Sequence, residues 1–261
     1  MALTDYELAP AARRVLNLFF LIDTSSSMSG EKIAAVNDAI RNVIPIVDDI
    51  SSNNPDAEIK IAAMTFSSTT QWLTAGPIEA SHYSWTDQSA NGFTAMGAAC
   101  NELNSKLSHK TGFLNNSAGS YAPVIIILSD GAPTDDFRTA LTNLEQNQWF
   151  RHSTRIAIAI GNDADTSVLA LFTGNSELVI RVGNIDALKT IIKVAVVTSS
   201  MISSSSASIG VSGGASGAAI SAPVTKAQQT ANIIASEAQD IDGLAVGDEA
   251  LLDALDFDDF E

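Results

Sequence analysis

At 261 residues, 46% of them hydrophobic, the chain has apolar material for a full core. It suits one large α/β domain, or a domain of about 200 residues with an appendage. A net charge of −16 argues against direct contact with nucleic acid or an anionic membrane, since neither offers a counter-charge to an acidic surface. The lone Cys100 excludes an internal disulfide framework.

Residues 1–13 read as an N-terminal extension. Arg13-Arg14 and the apolar run Val15–Ile22 have the outline of an export signal, but the run sits late and follows Asp5 and Glu7. It also ends on Asp23 with no small-residue cleavage site, so it reads as a buried strand and the chain as a soluble cytoplasmic protein. Val15–Ile22, Ile59–Phe66, Val124–Leu128, Arg155–Ile160 and Leu178–Val182 are short, branched and mostly unalternating. That is the mark of strands covered on both faces in a parallel sheet. Between them, Glu31–Ile50 places Ile33, Val36, Ile40, Val43 and Val47 at helical spacing. Thr94–Ser108 does the same with Met96, Ala99, Leu103 and Leu107, and Asp135–Phe150 and Asp186–Thr198 behave alike.

This order predicts an α/β fold over residues 14–199, a doubly wound, mostly parallel sheet with helices on both faces and right-handed crossovers. Ligands of such sheets collect at the carboxyl ends of the strands. Val194–Val197, even extended to Ile202, falls far short of the ~20 apolar residues that span a bilayer.

The texture changes near Ser199. Residues 200–225, with Ser203–Ser206 and four glycines between 210 and 217, read as a flexible linker. Residues 226–261 read as an acidic tail in which a short amphipathic helix is an expectation. From 200 onward ten Asp and Glu face Lys226 alone, a net charge of −9. Residues 1–199 are expected to contain every strand and helix of the sheet.

Asp23, Ser25 and Ser27 directly follow the first strand, Asp130 follows Val124–Ser129, and Thr94 precedes a helix in Gly92-Phe-Thr-Ala-Met-Gly97. Three loops at one end of one sheet thus present two carboxylates and three hydroxyls. Oxygen-only donors suit a hard cation, Mg²⁺ first, with Mn²⁺ or Ca²⁺ as alternatives. Neutral hydroxyls leave such an ion short of charge and ligands, and a partner's carboxylate would supply both. Taken singly, each piece has a plainer reading. The serines and Thr94 are good helix caps, Ser29 among them, and Asp130-Gly131 is a good turn. Asp135 and Asp136 read as helix starters, favoured there by the helix dipole.

Enzyme readings fare worse. An aspartyl phosphatase of the haloacid-dehalogenase type needs a second acid two positions after Asp23, where Ser25 stands. A serine hydrolase needs a base and a G-x-S-x-G elbow, and His82, His109 and His152 read as loop or surface residues. No phosphate-binding G-x-x-x-x-G-K-S/T occurs.

Leu21-Ile-Asp-Thr-Ser-Ser-Ser-Met28-Ser-Gly30 resembles the D-x-S-x-S-M segment of von Willebrand factor A (VWA) domains. The Thr94 and Asp130 segments match that family's second and third loops of the metal-ion-dependent adhesion site (MIDAS). The resemblance covers residues ~14–198 and implies a Rossmann-like fold and a metal site of Asp23, Ser25, Ser27, Thr94 and Asp130. Ser129–Asp136 and Ala159–Asp165 resemble the bacterial TerY-like branch, associated with tellurite and other chemical stress. Members of that branch often stand beside a protein kinase and a PP2C-type phosphatase. Two departures stand out: Ser26 replaces the usual glycine, and Phe93 stands where a glycine commonly precedes the threonine.

The function implied is non-enzymatic. It is a protein–protein interaction module whose partner presents an acidic residue to the metal, in a stress-response or phospho-signalling complex. A second reading is a VWA subunit of an ATPase-driven machine. The acidic tail is either inert or has one of two roles. Asp253, Asp256, Asp258, Asp259 and Glu261 reach back to the chain's own metal site, or Leu251, Leu252, Leu255 and Phe257 dock as one helix face into a partner groove.

Overall fold

Ten residues, Arg14–Asp23, form the central strand β1 in a computed structural model of the chain. The structure describes residues 13–116 and 119–182, and beyond them positions 190, 193, 197, 229, 233 and 244–246. β1 is buried on both faces, which is why its apolar run does not alternate. Leu16, Leu18, Phe20 and Ile22 pack on one side against Val36, Ile40, Val43 and Val47 of helix α1, Glu31–Asn53. Phe19 and Leu21 pack on the other, against Met96, Ala99 and Leu103 of α2, Met96–Lys106. The same face receives Leu144 of α3, Phe137–Leu144, Phe150 of α4, Gln148–His152, and Phe172 of α5, Thr166–Thr173.

The other strands are β2 Ala57–Phe66, β3 Thr70–Trp72, β4 Ile78–Glu79, β5 Val124–Ser129, β6 Thr154–Ile160, β7 Val179–Val182 and β8 Leu244–Val246. Their order is β3-β2-β1-β5-β6-β7-β8, with β4 also on β2. β2, β1, β5, β6 and β7 run parallel, as the unalternating runs imply, while β3, β4 and β8 pair antiparallel at the margins. From β1 the chain winds outward through β2, then returns to β5 on β1's other side. The switch of winding direction therefore opens between β1 and β5, at the carboxyl ends that carry Asp23 and Asp130.

Four features depart from the sequence reading. The single helix expected over 135–150 is two, because Asn147 interrupts it. The Asn147 side chain caps α4 through the Trp149 N–H at 2.9 Å and donates to Leu107 O at the end of α2 at 3.1 Å. α5 was not anticipated; it is only eight residues long, capped by Asp165 and stopped by Gly174 at φ 72°. β3 and β4 are too short to show a period.

The fourth is a correction: residues 1–199 do not hold every strand, because β8 comes from the segment read as tail. Leu244 pairs with Val182 and Val246 with Ile180, so β8 runs away from the carboxyl ends of the parallel strands. A lone three-residue strand carries no periodic signal, and only the open edge of β7 selects it.

Of the stretch Asp186–Thr198, the described positions Thr190, Lys193 and Val197 are helical. The linker 200–225 and the tail's acidic cluster lie outside the described residues. Among the described residues no helix is long and apolar enough to cross a membrane.

Candidate metal site

β1 and β5 are neighbours, with Ile22 opposite Leu128, so Asp23 and Asp130 leave adjacent strands at the same end. Both are buried, at 0% and 4% exposure. Oδ1 of Asp23 accepts the Ser25 N–H at 2.8 Å, and Oδ2 accepts the Ser129 hydroxyl at 2.5 Å. Ser129 Oγ in turn accepts the Gly131 N–H at 2.8 Å. Sequence reasoning missed Ser129, because its place opposite Asp23 depends on strand register. Burial pushes the Asp23 carboxyl above its usual range and the charge of Asp130 adds to this, while the bonds from Ser129 and Ser25 oppose it.

Ser26–Met28 form one 3₁₀ turn pinned by the fully buried Met28. The hydroxyls of buried Ser25 and exposed Ser27 lie 3.0 Å apart. α1 then starts at Glu31, with Gly30 at φ 77° as its N-cap residue and no side-chain cap bond; Ser29 does not cap it.

The Thr94 loop is clamped to both others. Asn91 N–H donates to Thr24 O at 2.7 Å and Ser26 N–H to Gly92 O at 3.0 Å. Gly92 N–H donates to Ser26 Oγ at 2.9 Å, so the hydroxyl that replaces the usual glycine closes the clamp. On the other side Thr94 N–H donates to Thr134 Oγ1 at 3.2 Å, and Thr134 N–H donates to Thr94 O at 2.9 Å. Thr94 is 4% exposed, and its hydroxyl takes no part in these bonds. Gly92, at φ 90°, leaves room for Ser68 Oγ, which a Cβ would meet at 2.5 Å. Ser68 Oγ accepts the Phe93 N–H at 3.0 Å, and the Phe93 ring stands 71% exposed beside Thr94.

Asp135 and Asp136 serve helices, as expected, though not the same one. Asp136 caps α3 through the Thr139 N–H at 3.2 Å. Asp135 reaches across to α2 and accepts the Gly97 and Ala98 N–H groups, both at 2.8 Å. It thereby fixes the helix that follows Thr94.

A cation the sequence did not single out also faces this group. Lys32 Nζ lies 3.4 Å from Asp130 Oδ2 and 2.7 Å from Asp163 Oδ1. The hydrogen bond from Lys32 is the main reason that the Asp163 carboxyl is held below its usual range. The buried Arg181 braces the Asp163 loop by donating to Gly161 O, Asn162 O and Ala164 O at 3.1, 2.7 and 3.1 Å. Tyr83 is buried in the core on the α1 side, and half-buried Trp85 donates to Asn37 Oδ1 at 3.2 Å.

The candidate donor set is thus two buried carboxylates and three hydroxyls, carried on three loops that are bonded to one another. Asp130 Oδ1 is buried with no hydrogen-bond partner among the described residues. An unpartnered buried carboxylate oxygen is costly. Together with the raised Asp23 it fits residues arranged to hold a hard cation. No group of three or more His, Cys, Asp or Glu that could hold a metal stands together among the described residues. Here the hydroxyls have to make up the number.

Solved structures share this fold. The pilus adhesin SpaC of Lactobacillus rhamnosus GG in its open conformation has a TM-score of 0.54 at 12% identity, over 71% of this chain and 30% of that one. Proximal thread matrix protein 1 from the mussel byssus, with zinc occupying its MIDAS motif, scores 0.53 at 16% identity, over 74% and 49%. The ArnB paralog VWA2 from Sulfolobus acidocaldarius scores 0.51 at 18% identity, over 71% and 46%. The chain therefore spans less than half the length of each of these proteins. No curated protein matches it by sequence. The model of the von Willebrand factor type A domain matches residues 17–194, a stretch that includes all three loops. The chain belongs to the von Willebrand factor type A domain family.

Proposed function

We propose that this domain captures a protein partner through a divalent cation held by Asp23, Ser25, Ser27, Thr94 and Asp130. The observation that carries this reading is the buried, unpartnered Oδ1 of Asp130 beside the buried Asp23. Mg²⁺ suits the all-oxygen donors, with Mn²⁺ and Ca²⁺ as alternatives. When bound, the cation supplies a positive, electron-accepting position for an acidic side chain of the partner. The zinc-occupied MIDAS of the mussel protein supports a metal in this kind of loop set.

This chain's own residues supply the rest. Ser129 and the Ser25 N–H orient Asp23, the clamp through Ser26 holds Thr94 in place, and Lys32 offsets the negative charge of Asp130. Phe93 adds an exposed aromatic ring beside the rim, so the preferred partner carries an apolar contact next to its carboxylate. The role is binding, with no turnover. The position two residues after Asp23, which a phosphatase of the haloacid-dehalogenase type needs as an acid, is Ser25. The setting we propose is a cytoplasmic stress-response or phospho-signalling complex, on the likeness of residues 129–136 and 159–165 to the TerY-like branch. A protein kinase and a PP2C-type phosphatase are then the partners to look for.

The test is a pull-down from the native host with full-length protein, Asp23→Ala and Phe93→Ala, each with Mg²⁺ and with EDTA. Capture by the wild type that EDTA and Asp23→Ala both abolish is expected, with Phe93→Ala weakening it about tenfold or more. Recovery of an AAA-type ATPase in place of a kinase or phosphatase moves the domain into a metal-dependent machine. Capture indifferent to EDTA overturns the reading.

A further inference from the structure

The opposite end of the same sheet holds a second site candidate. Asn17 is six residues before Asp23 on β1, about 20 Å away at ~3.3 Å per residue. It is 2% exposed, one of the few buried polar side chains of the central strand. It lines a cavity of about 470 Å³ together with Lys60, Lys106, Phe113, Asn115 and Asn116. That volume is in the range of small-molecule sites.

Asn17 pairs in register with Lys60 on β2, so amide and ammonium leave neighbouring strands side by side. Phe19 and Leu21, on Asn17's face of β1, pack against α2, the helix that ends in Lys106. Lys106 Nζ lies 5.4 Å over the Phe113 ring. Each lysine has one acid neighbour, Glu58 at 3.4 Å and Glu102 at 3.5 Å, but neither acid lines the cavity. In a chain of net charge −16 with 14 bases against 30 acids, this lining carries two lysines and no acid. A polar ligand of negative charge would meet two ammonium groups and the Asn17 amide on this lining.

We infer that this cavity binds a small anion, a carboxylate or phosphate on a compact polar molecule. Lys60 and Lys106 take its charge, and Asn17 takes its hydrogen bonds. Phe113 forms the apolar wall. The site is independent of the metal at the carboxyl end and stands or falls separately from it.

Full-length protein in EDTA, which keeps metal-bound anions out of the reading, is titrated with inorganic phosphate and, separately, with succinate at constant ionic strength. Amide shifts of Lys60, Gly112 and Phe113 are followed by NMR. Saturable shifts confined to these residues are expected, and the arm that saturates at lower concentration names the anion class. Lys60→Gln with Lys106→Gln should raise the apparent Kd about tenfold or more, the loss of roughly one charge-assisted contact. Asn17→Leu, which fills the cavity with apolar atoms, should abolish binding and leave metal binding at the other end unchanged. The two single lysine variants, checked for native circular dichroism, give the same readout should the double variant unfold. Saturation by neither anion overturns the assignment, and so does wild-type affinity in the folded lysine variants.

Discussion

The Ser129 hydroxyl donates to Oδ2 of Asp23 at 2.5 Å and accepts the Gly131 N–H at 2.8 Å, so one side chain joins the β1 and β5 loops of the site. Ser129→Ala leaves a buried N–H and a carboxylate oxygen without their partner, at a cost of about 1–3 kcal/mol. Asp23 also loses the group that aims it. Divalent-cation affinity is expected to fall about 10–100-fold, as measured by isothermal titration with Mg²⁺ and Mn²⁺. Unchanged affinity would show that the Ser25 N–H alone orients Asp23.

Asp23 is fully buried and its carboxyl is raised by that burial, so its ionised form is a burden on the metal-free fold near neutral pH. Asp23→Asn removes the charge and keeps the shape. In EDTA the variant should melt higher than wild type, by about 2–4 °C for each kcal/mol relieved. In Mg²⁺ the order should reverse, because the wild type alone gains stability from the ion. A variant that melts lower in EDTA would mean that the charge is already compensated, with Lys32 at 3.4 Å from Asp130 the first suspect.

β8 changes what truncation should do. A chain ending at 199 loses the partner of Ile180, Arg181 and Val182 and leaves the edge of β7 open. A chain ending at 246 keeps it. Thermal scans of the two against full length should show the 1–246 chain melting like the whole and the 1–199 chain melting several degrees lower. Equal melting of all three would show that the edge pairing adds no stability.

Burial pushes the Cys100 thiol up to about 12 from an ordinary 9.0, with the charge of Asp135 adding to the effect. Burial likewise moves the Tyr83 hydroxyl to about 12 from 10.0. Both groups keep their protons in the folded state at pH values where the unfolded chain has lost them. Their contribution to stability is complete below about pH 9 and is lost as the pH climbs to about 12. Unfolding free energies from denaturant titration should therefore decline across that window, and Cys100→Ala should flatten the decline. Native Cys100 should also resist iodoacetamide until the protein unfolds. Rapid labelling at neutral pH would place the thiol at the surface.

The family of the fold was legible in the amino-acid sequence, and so was the placing of the five candidate donor residues on loops at one end of the sheet, because each follows from local chemistry. Strands covered on both faces must be apolar throughout, so β1, β2, β5, β6 and β7 showed as unalternating runs. Asp23, Ser25, Ser27, Thr94 and Asp130 announced themselves by standing directly after those runs or before a helix. What the tertiary structure alone decided are relations between distant segments. Ser129 faces Asp23 only because Ile22 pairs with Leu128. Asp135 caps α2 and not its own helix, Lys32 meets Asp130 across 98 positions, and β8 joins β7 from the far side of residues 200–225. Asn17 reads in sequence as one polar residue inside an apolar strand. Strand register, helix approach and edge pairing are set by packing among segments far apart in the chain, and no local pattern of residue types encodes which partners meet.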